Sequence, residues 1–478
     1  MHWTLYVVVA PLYVGVVFLN GTGILAHMSS LSVETLKSDI KSGKIDTVIV
    51  AMTDMQGRLV GKRIHGEHFL NDTLAHGTEG CNYLLAVDMD MNTVGGYEMS
   101  SWERGYSDFV MEPDMSTLRY VPWQEGAAMV LADVKWLDGK DVVASPRQIL
   151  RKQVKALADA GMVPYVGTEL EFVLFNNSYE DAWNKHYIGL TPANQYNVDY
   201  SLMGGARVEP LLRAIRLGMA GANMMVESVK GECNFGQHEI AFRYSDALSN
   251  CDNHVIYKNG AKEIAAAAGY ALTFMAKPNE KEGNSSHIHC SFRGLNDELV
   301  MADDSKPEGL SDIGRYFIAG QIKHLRELSL MFAPNINSYK RYVPGSFAPT
   351  AIRWGRDNRT CALRLVGHGQ GLRLENRVPG GDVNPYLAVA GIIAAGLDGI
   401  KNKLTLEPIF EGNAYVSDSA RVPSSMLEAQ KLWAESSWVK ETFGADVQAH
   451  YANYAEVEMA AYGKAVTNWE LFRNFERS

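Results

Sequence analysis

Glu169 and Glu171 stand in Gly167-Thr168-Glu169-Leu170-Glu171-Phe172, inside an apolar run that opens at Met162. Successive side chains of a strand point to opposite faces, so the two acids share one face while Leu170 and Phe172 turn into a core. Carboxylates held that close repel unless a cation lies between them, and a divalent metal or an arginine is the usual cation. An isolated Glu-Leu-Glu is more often a solvated hairpin face, but three later stretches repeat the device. Glu232 and Glu239 lie seven apart in a segment that carries Gly231 and Gly236, and Glu239, Ala241 and Arg243 share a strand face. His287 and His289 point the same way, with Ser291 continuing that face. Arg373, Glu375 and Arg377 alternate likewise, in a region that also holds Arg341, Arg353, Arg356, Arg359 and Arg364. Arginine forks aimed at one cavity suit carboxylates and phosphates.

The elements that must position these groups are legible from pattern. Ser32 caps a helix over 32–41, strands over 46–53 and 59–64 flank a turn at 54–57, and 83–105 is an irregular loop containing Asp88 and Asp90. A strand over 127–136 precedes Pro146, which sits in the first turn of a helix that runs to about 160. The central strand starts at 162. A helix follows over 210–220, then strands over 224–229 and 237–244, and a long buried alanine-rich helix over 252–275. Further helices are expected over 312–331, 385–401 and in pieces from 425 to the end.

A chain of 478 residues, 46% hydrophobic and 21% charged, has the composition of a soluble globular protein large enough for two or three domains. A formal net charge of -10 and no basic stripe argue against a nucleic-acid partner. Five cysteines without paired spacing fit a reducing cytoplasm. Residues 5–19 are apolar but short for a membrane span, contain Pro11 and lack a preceding Lys or Arg. We therefore expect residues 1–27 to be a non-native or misassigned segment, with no membrane partner.

The order and spacing of these motifs, together with Asn337-Ser-Tyr-Lys-Arg341, Pro344-Gly345, Asn358-Arg359 and Glu375-x-Arg377 followed by Asn384-Pro-Tyr386, resemble the glutamine synthetase family, type I branch. The resemblance implies an α+β protein with a β-grasp-like domain over 28–143 and a catalytic domain over 144–478 built on a curved antiparallel sheet. It implies a homododecamer of two hexameric rings, each site completed by a neighbouring N-terminal domain. Two or more Mg2+ or Mn2+ ions per site are implied, with ATP as co-substrate. One ion would take Glu171, Glu232 and Glu239, the other Glu169, His287 and Glu375, and oxygen-rich sets suit those hard cations. His289, Ser291, Arg359 and Arg364 match nucleotide contacts. Arg341 matches the clamp on the glutamate α-carboxylate, Gly283 a backbone contact to glutamate, and Arg377 a group near the transferring phosphoryl.

The departures cluster at the amine end. Family enzymes that use ammonium carry a glutamate in the loop after Pro-Gly; Phe347 stands there in this chain. Their Asp-Gly-Ser-Ser stretch is absent, and Asp88 or Asp90 is the expected replacement. Gln370 stands at an ATP-proximal lysine position and Glu282 at an asparagine of the glutamate loop. This pattern resembles ligases that join glutamate to methylamine, ethanolamine or polyamines through a γ-glutamyl phosphate. The alternatives are a true glutamine synthetase, an inactive structural homologue, and the related guanidino kinases, whose motifs are not found.

Overall fold

The computed structural model describes residues 31–478, so the reading of residues 1–27 lies outside the described residues. Ser32 caps the first helix as its pattern predicts, its hydroxyl accepting from the Thr35 N–H ahead of Val33–Lys41. A first sheet then forms from β1 (Thr47–Thr53), β2 (Leu59–His65), β3 (Thr78–Cys81), β4 (Asp108–Pro113), β5 (Arg119–Tyr120) and β6 (Ala127–Trp136). Its order is β2-β1-β6-β4-β3, with β5 also on β6, and β1 runs parallel to β6 while the other pairs are antiparallel. The β1–β2 turn needs Gly57, at φ +80°, and its tip is tied to the rest of the chain where the Asn384 amide donates to the carbonyls of Asp54 and Met55.

The second sheet has nine strands around β7 (Met162–Phe175), whose 14 residues are long enough to pair with four partners. Those partners are β9 (Gln237–Phe242), β10 (Ser245–Asp246), β11 (Ala271–Thr273) and β12 (Ser286–Gly294). Beyond them lie β8 (Val226–Gly231) on one side and β15 (Arg373–Asn376), β14 (Leu363–Val366) and β13 (Trp354–Arg356) on the other. The sheet is antiparallel, as expected, apart from the short parallel pair β13–β14 at its end. Its curvature comes from strand twist accumulated over many strands.

Helices back one face of this sheet. Pro385–Lys401 is almost wholly buried, in keeping with its lack of a polar stripe, and crosses Asp312–His324 so closely that a Cβ on Gly320 would meet the Ala395 carbonyl. Two predicted helices are corrected. The long alanine-rich helix is Ala247–Ala267: it stops before Gly269, at φ +79°, and the apolar Ala271–Thr273 becomes β11 on the edge of β7. The helix expected over 312–331 is broken into Asp312–His324 and Ser329–Phe332. Among the described residues no helix is long and apolar enough to cross a membrane.

A buried ion cluster ties the two sheets together. Arg147, 3% exposed, donates to Asp114 and Asp133 of the first sheet region and to Asp252 of the helix Ala247–Ala267, at 2.8, 2.6 and 2.9 Å. Tyr386 adds a 2.6 Å hydrogen bond to Asp252.

Candidate active site

Register alone assembles the charged face. Glu171 lies directly across from Glu239 on β9, and Glu169 directly across from His287 on β12. His289 is in turn opposite Glu375 on β15, and Glu375 opposite Arg364 on β14. The acids, imidazoles and arginines picked out by alternation thus meet on one side of a single sheet, while Leu170, Phe172 and Ile240 fill the core behind it. Glu169, Glu171, Glu232, Glu239, His287, Arg364, Glu375 and Arg377 line a cavity of about 610 Å³ together with Lys230, Gln237, Gly283, Ser285, Phe347 and Arg359. That volume is in the range of small-molecule sites.

Oxygen atoms of Glu171, Glu232 and Glu239 lie within 4.8 Å of one another. Glu171 is held by the Ser285 N–H at 2.7 Å and the Gln237 amide at 3.0 Å. Burial first, then the charges of Glu169, Glu171 and Glu375, push the Glu239 carboxyl up to about 8 despite Lys230. Such crowding fits a site whose charge is balanced by a bound divalent cation. Lys230, which motif spacing does not single out, supplies some of that balance from within the chain: it pairs with Glu232, lies opposite Glu239 in register, and stacks 4.9 Å from the Tyr200 ring.

The second group is Glu169, Glu375 and the two histidines. Against burial, hydrogen bonds from His287 and His289 hold the Glu169 carboxyl well below its ordinary value. His289 and the acids Glu169 and Glu375 offer atoms within 4.8 Å of one another, and His287 Nδ1 lies 3.3 and 3.4 Å from the same two acids. The histidines differ in what they have left to offer. His289 accepts from Arg373 Nε through Nδ1 at 3.2 Å and must then donate through Nε2 to Glu169 at 2.8 Å, so both nitrogens are engaged. Burial and the Arg377 cation press His287 below its ordinary value against the pull of Glu169 and Glu375, and its Nε2 is buried with no partner. The three groups whose donor atoms cluster are thus Glu169, His289 and Glu375, where the expected set has His287; His287 stands immediately beside them, its Nδ1 facing the same two acids and its Nε2 without a partner.

The arginines divide by role. Arg377 bridges Glu375 and the Phe347 carbonyl, the latter at 3.3 Å, and Arg364 reaches Glu375 at 2.8 Å and Asp357. Arg359 is exposed at the cavity edge and makes no ion pair among the described residues. His289 and Ser291 line a smaller adjoining hollow of about 190 Å³ with Arg293, Arg373, Gln370, Tyr165 and Tyr244, and the two hollows share Glu169 and Ala241. The nucleotide set expected from sequence is therefore split between the hollows. Arg373, part of the alternating motif, and Arg293, which no motif singles out, stand beside Gln370 as cations of this hollow.

Two expected residues are not brought to the cavity. Arg341, 1% exposed, lies beneath the wall and gives its fork to the carbonyls of Arg377, Val378 and Pro379 and to Ser285 Oγ at 3.3 Å. It supports the wall rather than presenting a cation, with Gly283 packed over it: a Cβ there would lie 2.8 Å from Arg341 Cγ and 2.3 Å from the Ala276 carbonyl. Asp88 folds its own loop, accepting from the backbone of Asp90 and Asn92 at 3.0 and 2.8 Å, and no residue before Glu169 lines the cavity. Spacing could not show either outcome, because both depend on where a loop or a turn packs. Phe347, by contrast, stands at the cavity mouth with its side chain half exposed and its backbone at φ +59°.

Comparison with known proteins agrees with this architecture. The profile for the glutamine synthetase catalytic domain matches residues 143–474. The chain is 61% identical over 447 residues to gamma-glutamylethanolamide synthetase GlnA4 of Streptomyces coelicolor, covering 94% of this chain and 96% of the relative. It is 38% identical to a glutamate--isopropylamine ligase of a Pseudomonas species, covering 91% of this chain and 96% of the relative. The structure of a GmaS/ADP complex superposes with a TM-score of 0.82 at 27% identity, covering 92% of this chain and 99% of that one.

Proposed function

The chain belongs to the glutamine synthetase family, and from that premise we propose that it is an ATP-dependent carbon–nitrogen ligase joining the γ-carboxylate of glutamate to a short organic amine, ethanolamine foremost. The observation that carries the choice of amine over ammonium is the Phe347 ring at the cavity mouth, at a position where the family resemblance implies a glutamate for ammonium use. Ammonium offers no apolar surface and calls for carboxylates around it. A carbon-bearing amine recovers free energy against a phenyl ring, at about 25 cal/mol per Å² buried.

Glu171, Glu232 and Glu239 would hold one divalent cation and Glu169, His287 and Glu375 another. When bound, such ions neutralise phosphate oxygens during phosphoryl transfer. The chain's own residues do the rest. His289, Ser291, Arg293 and Arg373 supply polar and cationic contacts for the nucleotide in the smaller hollow. Arg359 and Arg377 face the cavity where the γ-phosphoryl group passes to the glutamate carboxylate, and Arg364 is held beside them by Glu375. Gly283 presents backbone to glutamate, on a wall that Arg341 braces. Attack of the amine nitrogen on the resulting acyl phosphate forms the amide and releases phosphate, so ATP, glutamate and amine give ADP, phosphate and the γ-glutamyl amide. Asp88 is not assigned the proton, since its oxygens are committed to its loop.

The open mouth of the cavity, lined by no residue before Glu169, supports a homo-oligomer in which another copy completes the site. Phosphate release with ATP and glutamate against ammonium, methylamine, ethanolamine, putrescine and spermine tests the reading. An ethanolamine preference with little glutamine is expected. Efficient glutamine formation with every amine ignored overturns it.

A further inference from the structure

A second cavity, about 790 Å³, lies where the β1–β2 turn, the helix Ala247–Ala267, the edge strand β11 and the C-terminal helix Ala445–Tyr462 come together. It shares no residue with the catalytic cavity. Its wall is mainly apolar, with Leu59, Phe274, Met275 and Ile336, yet two lysines enter it side by side. Lys258 and Lys262 are four apart on one helix, so they occupy the same face. Each Nζ lies 5.8 Å from the centre of the Phe274 ring.

Both lysines are half-buried, and among the described residues neither forms an ion pair. Lys258 reaches only the Val383 carbonyl, at 3.5 Å. No carboxylate of the wall pairs with them, although the charges of Asp382 and of nearby Asp54 favour the Lys258 cation from a distance. Asp382 gives one oxygen to Asn335 and Ser338 at 2.8 and 2.6 Å and leaves the other buried without a partner, and Glu458 is pushed up by burial and by nearby Asp88. Burial, then the Lys262 cation, press Lys258 down to about 7. Adjacent ammonium groups in an apolar hollow are costly unless an anion meets them.

We propose that this cavity is a second small-molecule site, which takes an organic anion whose carboxylate or phosphate lies on Lys258 and Lys262 and whose apolar body packs on Phe274 and Met275. The site is wired to the catalytic wall. Asn335 and Ser338, which hold Asp382, belong to the short helix Ile336–Arg341 or its cap, and that helix ends on Arg341.

The test is calorimetric titration of the full chain, with glutamate saturating, using benzoate, phenyl phosphate and inorganic phosphate. Benzoate and phenyl phosphate distinguish a carboxylate source from a phosphate source, and inorganic phosphate asks whether the apolar body is needed. At least one aromatic anion should bind more tightly than inorganic phosphate. Lys262→Met should weaken it roughly 10- to 150-fold, the worth of one charge-assisted hydrogen bond. Lys262→Arg should retain binding and so guard against a folding defect. Absence of binding by both aromatic anions, equal affinity for inorganic phosphate, or unchanged affinity in Lys262→Met each overturns the proposal. None of these outcomes bears on the ligase reading, because the cavity and the variants lie outside the catalytic face.

Discussion

Replacing Glu239 with Gln should separate the burden of the acid cluster from its use. In the ion-free protein the Glu239 carboxyl is pushed up to about 8, first by burial and then by Glu169, Glu171 and Glu375. The unfolded chain holds this group at its ordinary value near 4.5. A raised carboxyl favours the folded state's protonated form, so the ion-free protein loses stability as pH climbs from about 4.5 to 8 and keeps that loss above 8. At about 1.4 kcal/mol per pH unit, a rise of roughly three and a half units amounts to about 5 kcal/mol at most. Glutamine has the shape of the protonated acid, so Glu239→Gln should be as stable as wild type, or more so, in chelator at pH 8. The order reverses with magnesium. A cation at a hundred times its dissociation constant stabilises wild type by about 2.7 kcal/mol, and the variant should show little of this gain. Turnover should fall at least 10- to 100-fold, the usual loss when even a supporting group of a metal site is removed. Denaturant melts with and without magnesium, beside phosphate release, make the comparison. A variant that is destabilised in chelator yet keeps the full magnesium shift and full turnover would refute the assignment of Glu239.

Phe347→Glu should raise ammonium-dependent glutamine formation relative to amide formation from ethanolamine, read as product masses; apolar contacts separate substrates by only about 1 to 3 kcal/mol, so a shift of roughly 10- to 200-fold is expected, and an unchanged ratio counts against Phe347 as the selector. Arg147→Met should cost about 3 to 5 kcal/mol of stability in denaturant, because Asp252, 3% exposed, loses its cation inside the structure; a loss under about 1 kcal/mol would mean that the cluster is not holding the sheets. Arg341→Leu should disturb the wall at Ser285 and raise the glutamate KM more than the ATP KM, and a change confined to ATP would displace it from the glutamate side. His450 is pressed down to about 4 by burial. The unfolded histidine takes its proton first as pH falls, so the stability that its neutral form allows is intact above about 6.5 and declines towards 4, by up to about 3 kcal/mol. Urea midpoints of His450→Gln should show a shallower acid decline than wild type.

Period and register made the charged face legible in the sequence. Glu169, Glu171, Glu239, His287 and Glu375 alternate with core residues, so once the strands pair, their shared face is unavoidable, and the register confirms each neighbour. The end of the helix Ala247–Ala267 was less legible because alanine carries little boundary signal, and only Gly269 and the apolar run after it separate that helix from β11. Lys230 was hidden for a different reason. A single lysine in a strand is ordinarily a solvated charge, and its place between Glu232 and Glu239 depends on how β8 registers on β9 across an irregularity at Val226 and Ser228. Arg341 shows the remaining limit. Motif order placed it near the glutamate side, but whether its fork faces ligand or backbone is decided by carbonyls of Arg377, Val378 and Pro379, residues recruited from 36 to 38 positions away. Those carbonyls turn inward just past the end of β15, and a guanidinium is the one side chain with enough donors to reach all three and still touch Ser285. The same reasoning makes Arg341 costly to replace by lysine, whose three donors on a flexible stem cannot match that planar fork.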